Sequence, residues 1–191
     1  MVSKILFYFL LIISFTQVVS QVYSPEIEPT NLTIESNVYP GFKTFLDFDS
    51  KDVRKGWWKF SREFGKPVNM RRYYETTLVH EEMMNVKVIT RSVKFKEGTL
   101  FYLTLKNDEM PKDQEQKYLK QVKTLLFEFK QEYYRSFLED ELKSLEKQAV
   151  QVTKKLDKVS GDATKENQYF DSLMEVNTAM DEVKERVKKL Q

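Results

Sequence analysis

The chain has 191 residues, with 31 Lys and Arg against 29 Asp and Glu, one His, no Cys, five Gly and five Pro. Without cysteine there is no disulfide scaffold, thiol nucleophile or thiolate zinc site, and one histidine excludes multi-histidine metal centres. A formal charge of +2 gives no general attraction toward nucleic acid or acidic lipid.

Lys4 is the only charge in residues 1–20, and an apolar run from Ile5 to Phe15 follows it, interrupted only by Ser14. Val18-Val19-Ser20 then offers tolerated small residues before a cut between Ser20 and Gln21. This is the layout of a secretory signal peptide. The run has eleven residues, whereas a membrane span needs roughly twenty. The sequence therefore predicts an exported protein, periplasmic or secreted, with no stable membrane span after cleavage near Ser20/Gln21. A cysteine-free exported chain fits a bacterial periplasm better than a disulfide-forming secretory pathway.

Residues 21–40 contain Pro25, Pro29 and Pro40 and read as an extended lead-in, with a weak edge strand over Asn31–Ser36. From Gly41 a strand is expected, with Phe42, Thr44, Leu46 and Phe48 on one face and Phe45 on the other. Asp49 or Ser50 caps a helix whose Val53, Trp57, Phe60 and Phe64 share a face, ended by Gly65-Lys66-Pro67. Gly56 would let this helix approach the sheet closely. Three strands follow over Val68–Val79, Val86–Phe95 and Thr99–Lys106, the last two joined by a reversal at Lys96-Glu97-Gly98. Asp113 and Gln116 resemble a capping box for a long helix after Pro111. Leu119, Val122, Leu126, Phe129, Tyr133 and Phe137 recur along it at three- and four-residue steps. The pattern is β-α-β-β-β, an α+β fold with a largely antiparallel sheet covered by a long helix, assigned to residues 41–137.

Near Tyr133–Leu138 the register slips, and the strongest periodicity in the chain begins. Leu138, Leu142, Leu145, Ala149, Val152, Leu156 and Val159 are spaced 4-3-4-3-4-3, as are Tyr169, Leu173, Val176, Met180, Val183, Val187 and Leu190. Each stripe spans 22 residues, or about 33 Å of helix. Equal heptad stripes joined by a polar loop over residues 160–168 predict an antiparallel coiled-coil hairpin, assigned to residues 138–191. Gly161 would end the first arm and Asp162 or Thr164 would cap the second. Glu139–Lys143, Glu182–Arg186 and Glu185–Lys189 are favourably ordered i,i+4 pairs on its outside.

Motifs that would carry chemistry are sparse. His80-Glu81-Glu82 lacks the second histidine of a zinc-protease helix and reads as an exposed loop. There is no Gly-x-Ser-x-Gly turn and no glycine-rich phosphate loop. Asp47 and Asp49 could serve as a carboxylate pair, but Asp49 is already accounted for as a helix cap. Trp58 is turned about 100° from Trp57 around the helix, either flanking the core or exposed for binding. Arg71-Arg72-Tyr73-Tyr74 interleaves basic and aromatic residues. On a strand, however, Arg71 and Tyr73 would face one way and Arg72 and Tyr74 the other. These residues suit a solvated sheet face; the alternative is a recognition patch for a protein or glycan built from Trp58, Arg71 and Tyr73.

The run Gly56-Trp57-Trp58-Lys59-Phe60-Ser61-Arg62-Glu63-Phe64-Gly65-Lys66-Pro67-Val68-Asn69-Met70-Arg71, followed by Tyr74-Glu75, resembles uncharacterised exported proteins of Bacteroidota. The likeness extends through the sheet region into the long helix. It implies an envelope or secreted setting, and no activity, ligand or catalytic residue transfers from it.

The sequence thus favours a non-enzymatic binding or scaffold protein with no cofactor and no metal, no nucleic acid partner, and a hairpin that engages a protein partner or self-associates. The alternative is a periplasmic carrier of an apolar ligand or lipid held between the sheet and the long helix. Residues 112–191 hold 16 basic and 16 acidic side chains and residues 21–111 hold 14 and 13, so each half is balanced by itself.

Overall fold

The computed structural model describes residues 26–79, 83–108, 110–159 and 161–190. Residues 1–20, which carry the expected export signal, and His80-Glu81-Glu82 lie outside these. The described strands are β1 (Glu28–Ile34), β2 (Asn37–Leu46), β3 (Pro67–Asn69), β4 (Tyr74–Thr77), β5 (Lys87–Phe95) and β6 (Gly98–Lys106). They form one sheet in the order β1-β2-β6-β5-β4-β3, antiparallel at every pairing. The helices are α1 (Ser50–Ser61), α2 (Lys112–Leu156) and α3 (Ala163–Lys188). The fold is α+β: an antiparallel sheet covered by a long helix, with a C-terminal helix packed antiparallel against it, as the sequence implies.

The sheet is larger than the hydrophobic pattern suggests. The lead-in pairs along its length with the start of β2, from Glu28↔Lys43 to Ile34↔Asn37. Pro40 is accommodated because pairing of β2 with β6 begins only at Gly41↔Thr104, so its missing N–H interrupts no ladder on that side. The strand expected over Val68–Val79 is two strands separated by a turn. In that turn the Asn69 Oδ1 accepts from the Arg71 N–H at 2.8 Å and Met70 N–H donates to the Tyr73 carbonyl at 2.9 Å. Arg71 there has φ 72°, which ends strand geometry. The turn lacks Gly and Pro, and the side-chain alternation around it looks unbroken in the sequence.

One face of the sheet carries Leu46, Val88, Phe101, Leu103 and Leu105, all buried beneath the helices. Asp49 caps α1 by accepting from the Lys51 N–H at 2.8 Å. This helix buries Val53, Trp57 and Phe60. From α2, Phe129 reaches into their cluster, with its ring 5.1 Å from Trp57 and 5.0 Å from Phe101, and Phe48 stands edge-on to Tyr133 and Tyr134. Rings in edge-on and tilted contact add about 0.5–1.5 kcal/mol per pair beyond their burial.

Three expectations about the helices are corrected. The capping box at Asp113 does not form: α2 starts at Lys112 behind Pro111 with no side-chain cap, and Glu115 instead accepts from Asn107 Nδ2 at 2.9 Å. Pro111 fixes its own φ at the entry, and its carbonyl accepts from the Gln114 and Glu115 N–H groups at 3.1 and 3.0 Å. The i,i+4 pairs are replaced as well, because shorter or cross-helix partners win. Lys143 pairs with Asp140, Lys188 with Glu185, and Arg186 reaches across to Glu141 at 3.3 Å. Finally, Gly56 admits α2 rather than the sheet. A Cβ there would lie 2.2 Å from the Tyr133 ring, which is held between Phe48 and Phe129.

Gly56→Ala should therefore destabilise the protein by about 1–3 kcal/mol through overpacking, although alanine is the better helix former. Urea unfolding measures it, and Gly56→Ala with Tyr133→Leu should recover most of the loss.

Candidate functional site

Chemistry, if the fold holds any, has to come from charged groups placed where water cannot neutralise them. The outlier is Lys130. The buried stripe of α2 runs Val122, Leu126, Lys130, Tyr134 and Leu138, with Phe129 beside it. Lys130 thus occupies a core position and is fully buried. Its Nζ donates to Thr44 Oγ1 at 2.6 Å, and that hydroxyl donates to the Glu26 carbonyl at 2.8 Å. One turn on, the Tyr134 hydroxyl donates to Asp47. The result is a polar cluster from β1's approach, β2 and α2, enclosed where the long helix crosses the sheet.

Sequence reasoning missed Lys130 because a search for apolar periodicity passes over lysine. The available signal was its place at i+4 from Leu126 and i−4 from Tyr134. The Asp47/Asp49 pair is resolved structurally, since Asp47 receives Tyr134 and Asp49 caps α1. Burial pushes Lys130 down to about 8, against the attraction of the Asp47 and Glu26 carboxylates. With a value near 8 the group is still mostly an ammonium at pH 7, and a lysine depressed this far is a chemical nucleophile only once it loses that proton. Its enclosure and its bond to Thr44 make it a clamp between helix and sheet.

Among the described residues, no helix lies over the opposite face of the sheet. Leu32, Tyr39 and Ile89 form a second, small buried cluster there, flanked by Ile34, Tyr73 and Tyr102. Of the expected recognition residues, Arg71 and Tyr73 line a cleft of about 350 Å³ on this face. Because they sit in a turn, the separation expected on a strand does not occur, and Arg72 lines the same cleft. Trp58 is not part of it. That ring lies on the outer face of α1, 46 % exposed, with the Arg62 guanidinium 4.7 Å from its centroid.

The third region is the hairpin. Leu138, Val183 and Leu190 are buried, and Leu142, Leu145, Ala149, Val152, Leu156, Val159, Tyr169, Leu173, Val176, Met180 and Val187 are half-buried. Residues 157–162 join α2 to α3, a shorter connection than the heptads imply. Gly161 adopts φ 95° in it, and Asp162 caps α3 by accepting from the Lys165 N–H at 3.3 Å. At the base, Gln131 Nε2 donates to the Leu190 carbonyl at 3.0 Å. Among the described residues no group of three or more His, Cys, Asp or Glu is placed to hold a metal, and no helix is long and apolar enough to cross a membrane.

Lys130 makes a pH-dependent contribution whose sign is fixed. The unfolded chain keeps the ordinary lysine value of 10.5, so between about pH 8 and 10 it binds more proton than the folded chain. Stability through this group therefore rises with pH in that window. Burial pushes Tyr133 up to about 12, aided by Asp52 and Asp49. This opposes the trend above pH 10, where the unfolded chain loses its phenolic proton first. The unfolding free energy should rise by about 1–3 kcal/mol from pH 8 to 10, and the rise should vanish in Lys130→Met, which is expected to be at least as stable at pH 7. Urea titrations at stepped pH measure both.

No protein-family model, curated protein or solved structure matches the chain.

Proposed function

We propose that this is an exported binding or scaffold protein, without catalysis of its own, that engages a helical surface through the outer half of its hairpin. That surface belongs to a protein partner or to a second copy. The observation that carries this reading is the reach of α2. Its 45 residues make a rod of about 68 Å. Full burial along α2 ends at Leu138, and its last side chain packed onto the core is Leu145. Beyond Leu145 the rod continues to Leu156 with α3 alongside it. Packing against α3 alone sustains this extension, which leaves its outer faces free to engage another surface.

The outer half is also apolar where a solvated arm would be polar. Val150, Phe170 and Met174 are 53 %, 56 % and 58 % exposed, and Phe170 borders a cleft with Leu156 and Glu166. Phe170 and Met174 are one turn apart, which is the spacing by which one helix anchors against another. The alternative, a carrier of an apolar ligand, draws less support. The space between sheet and long helix is occupied by Trp57, Phe60, Phe101 and Phe129, whose ring centroids lie 5.0–5.7 Å apart.

A photo-crosslinking residue at Lys165 should yield discrete adducts in cells, either with one partner or as a dimer. Phe170→Ser with Met174→Ser should reduce them at least fivefold while leaving the circular dichroism unchanged. Adducts indifferent to that double substitution would overturn the proposal.

A further inference from the structure

We infer that the cleft on the helix-free sheet face is a binding site for a phosphate or sulfate group, held by Arg71, Arg72 and Arg91. This inference does not depend on the hairpin and concerns the sheet.

The cleft is formed by the two ends of the sheet order. From one side the β1–β2 turn brings Thr33, Ile34 and Glu35; from the other the β3–β4 turn brings Met70 through Tyr73. β1 and β3 are the opposite edges of a six-stranded sheet, so the sheet curls until its edges flank one space. Ile34 and Tyr73 both pack on the Leu32–Tyr39–Ile89 cluster, which fixes the two turns beneath the cleft. Arg91 enters from the floor. Pairing of β4 with β5 stops at Tyr74↔Thr90, so Arg91 is the next residue along β5 and stands by the turn.

The charge pattern of this face separates the three arginines from every other paired cation there. Lys43 pairs with Glu28 at 3.0 Å, and Lys87 and Lys106 pair with Glu75 at 3.6 and 2.8 Å. Among the described residues, Arg71, Arg72 and Arg91 have no carboxylate within 4 Å. Glu35 lines the cleft but does not close onto any of them. Three guanidinium groups against one carboxylate leave an excess of positive charge. Each guanidinium offers a planar fork of donors that matches phosphate or sulfate oxygens.

The backbone is set for the purpose before any ligand arrives. Arg71 and Glu35 have φ 72° and 58°, a region costly for residues with a Cβ. Both line the same cleft, while the other two described non-glycine residues of positive φ, Asn85 and Lys96, lie in turns outside it. The Asn69 side chain and the Met70–Tyr73 and Arg72–Met70 backbone bonds, at 2.8, 2.9 and 2.9 Å, hold Arg71 in that conformation. Adjacent arginines on a strand would diverge; the turn directs both into one space.

Calorimetric titration of the full chain at low salt with pyrophosphate, and separately with a sulfated disaccharide, tests this. Binding of either probe is expected, weakened at least tenfold in Arg91→Gln and in Arg71→Gln, and strengthened severalfold in Glu35→Gln. Arg91 lies in a regular strand, so its variant keeps the test valid if Arg71→Gln disturbs the turn. Preference between the probes tells a phosphate from a sulfate source. Failure of both to bind at millimolar concentration, or binding indifferent to Arg91 and Arg71, would overturn the site.

Discussion

One helix has to satisfy two partners, and the rest of the structure follows from how it does so. α2 first lies across the sheet and then becomes an arm of the hairpin, without a break in its 45 residues. Over the sheet its buried stripe advances by four: Val122, Leu126, Lys130, Tyr134, Leu138. Four residues overshoot a full turn by about 40°, so the stripe winds about 160° around the rod in four steps. From Leu138 the steps alternate four and three, which holds the stripe nearly straight. Leu138 is the pivot, buried with Val183 and Leu190 at the base of the hairpin. The core of the sheet and the seam of the hairpin are therefore continuous, although they use different faces of the same helix.

The winding explains why a lysine is buried. A stripe that rotates around the helix as it crosses the sheet cannot keep one set of neighbours, and at this point it faces Thr44 and Asp47 at the end of β2 rather than an apolar residue. Lys130 and Tyr134 meet those groups directly. Buried charge is seldom the most stabilising choice at such a point. What it does impose is one position of the rod along the sheet, since a slip of one turn would leave an unpaired ammonium in the core. With the rod fixed in this way, the direction in which the hairpin leaves the sheet is fixed too.

Much of this was legible in the residues, and what was not has physical causes. The hairpin could be read because a long, strict period with two equal arms has few alternative explanations, and β5 and β6 because their alternation is regular. The β3–β4 turn could not, since Asn69-Met70-Arg71-Arg72 has neither Gly nor Pro and the alternation seems to run through it. The turn is made by a side-chain oxygen and one left-handed residue. Arg71 and Arg72 were consequently assigned to opposite faces when they line one cleft. Ion pairs on the hairpin were misassigned because sequence spacing does not distinguish a partner three residues away from one on the other helix. Trp58 could not be placed because a position 100° off the apolar face of a helix is compatible with either environment.

The two candidate surfaces rest on different kinds of support: an arginine-lined cleft on the sheet, and exposed apolar side chains on an arm held by its own seam. That difference follows directly from α2 having two partners, and native-state hydrogen exchange resolves it residue by residue. Amides of β6 and of α2 from Val122 to Leu145 should exchange only through global unfolding, while those from Val150 to Met174 should open at distinctly lower free energy, with protection falling toward Gly161. A single shared opening energy from the sheet to the hairpin tip would contradict this, because the arm would then be part of one core and not an extension of it.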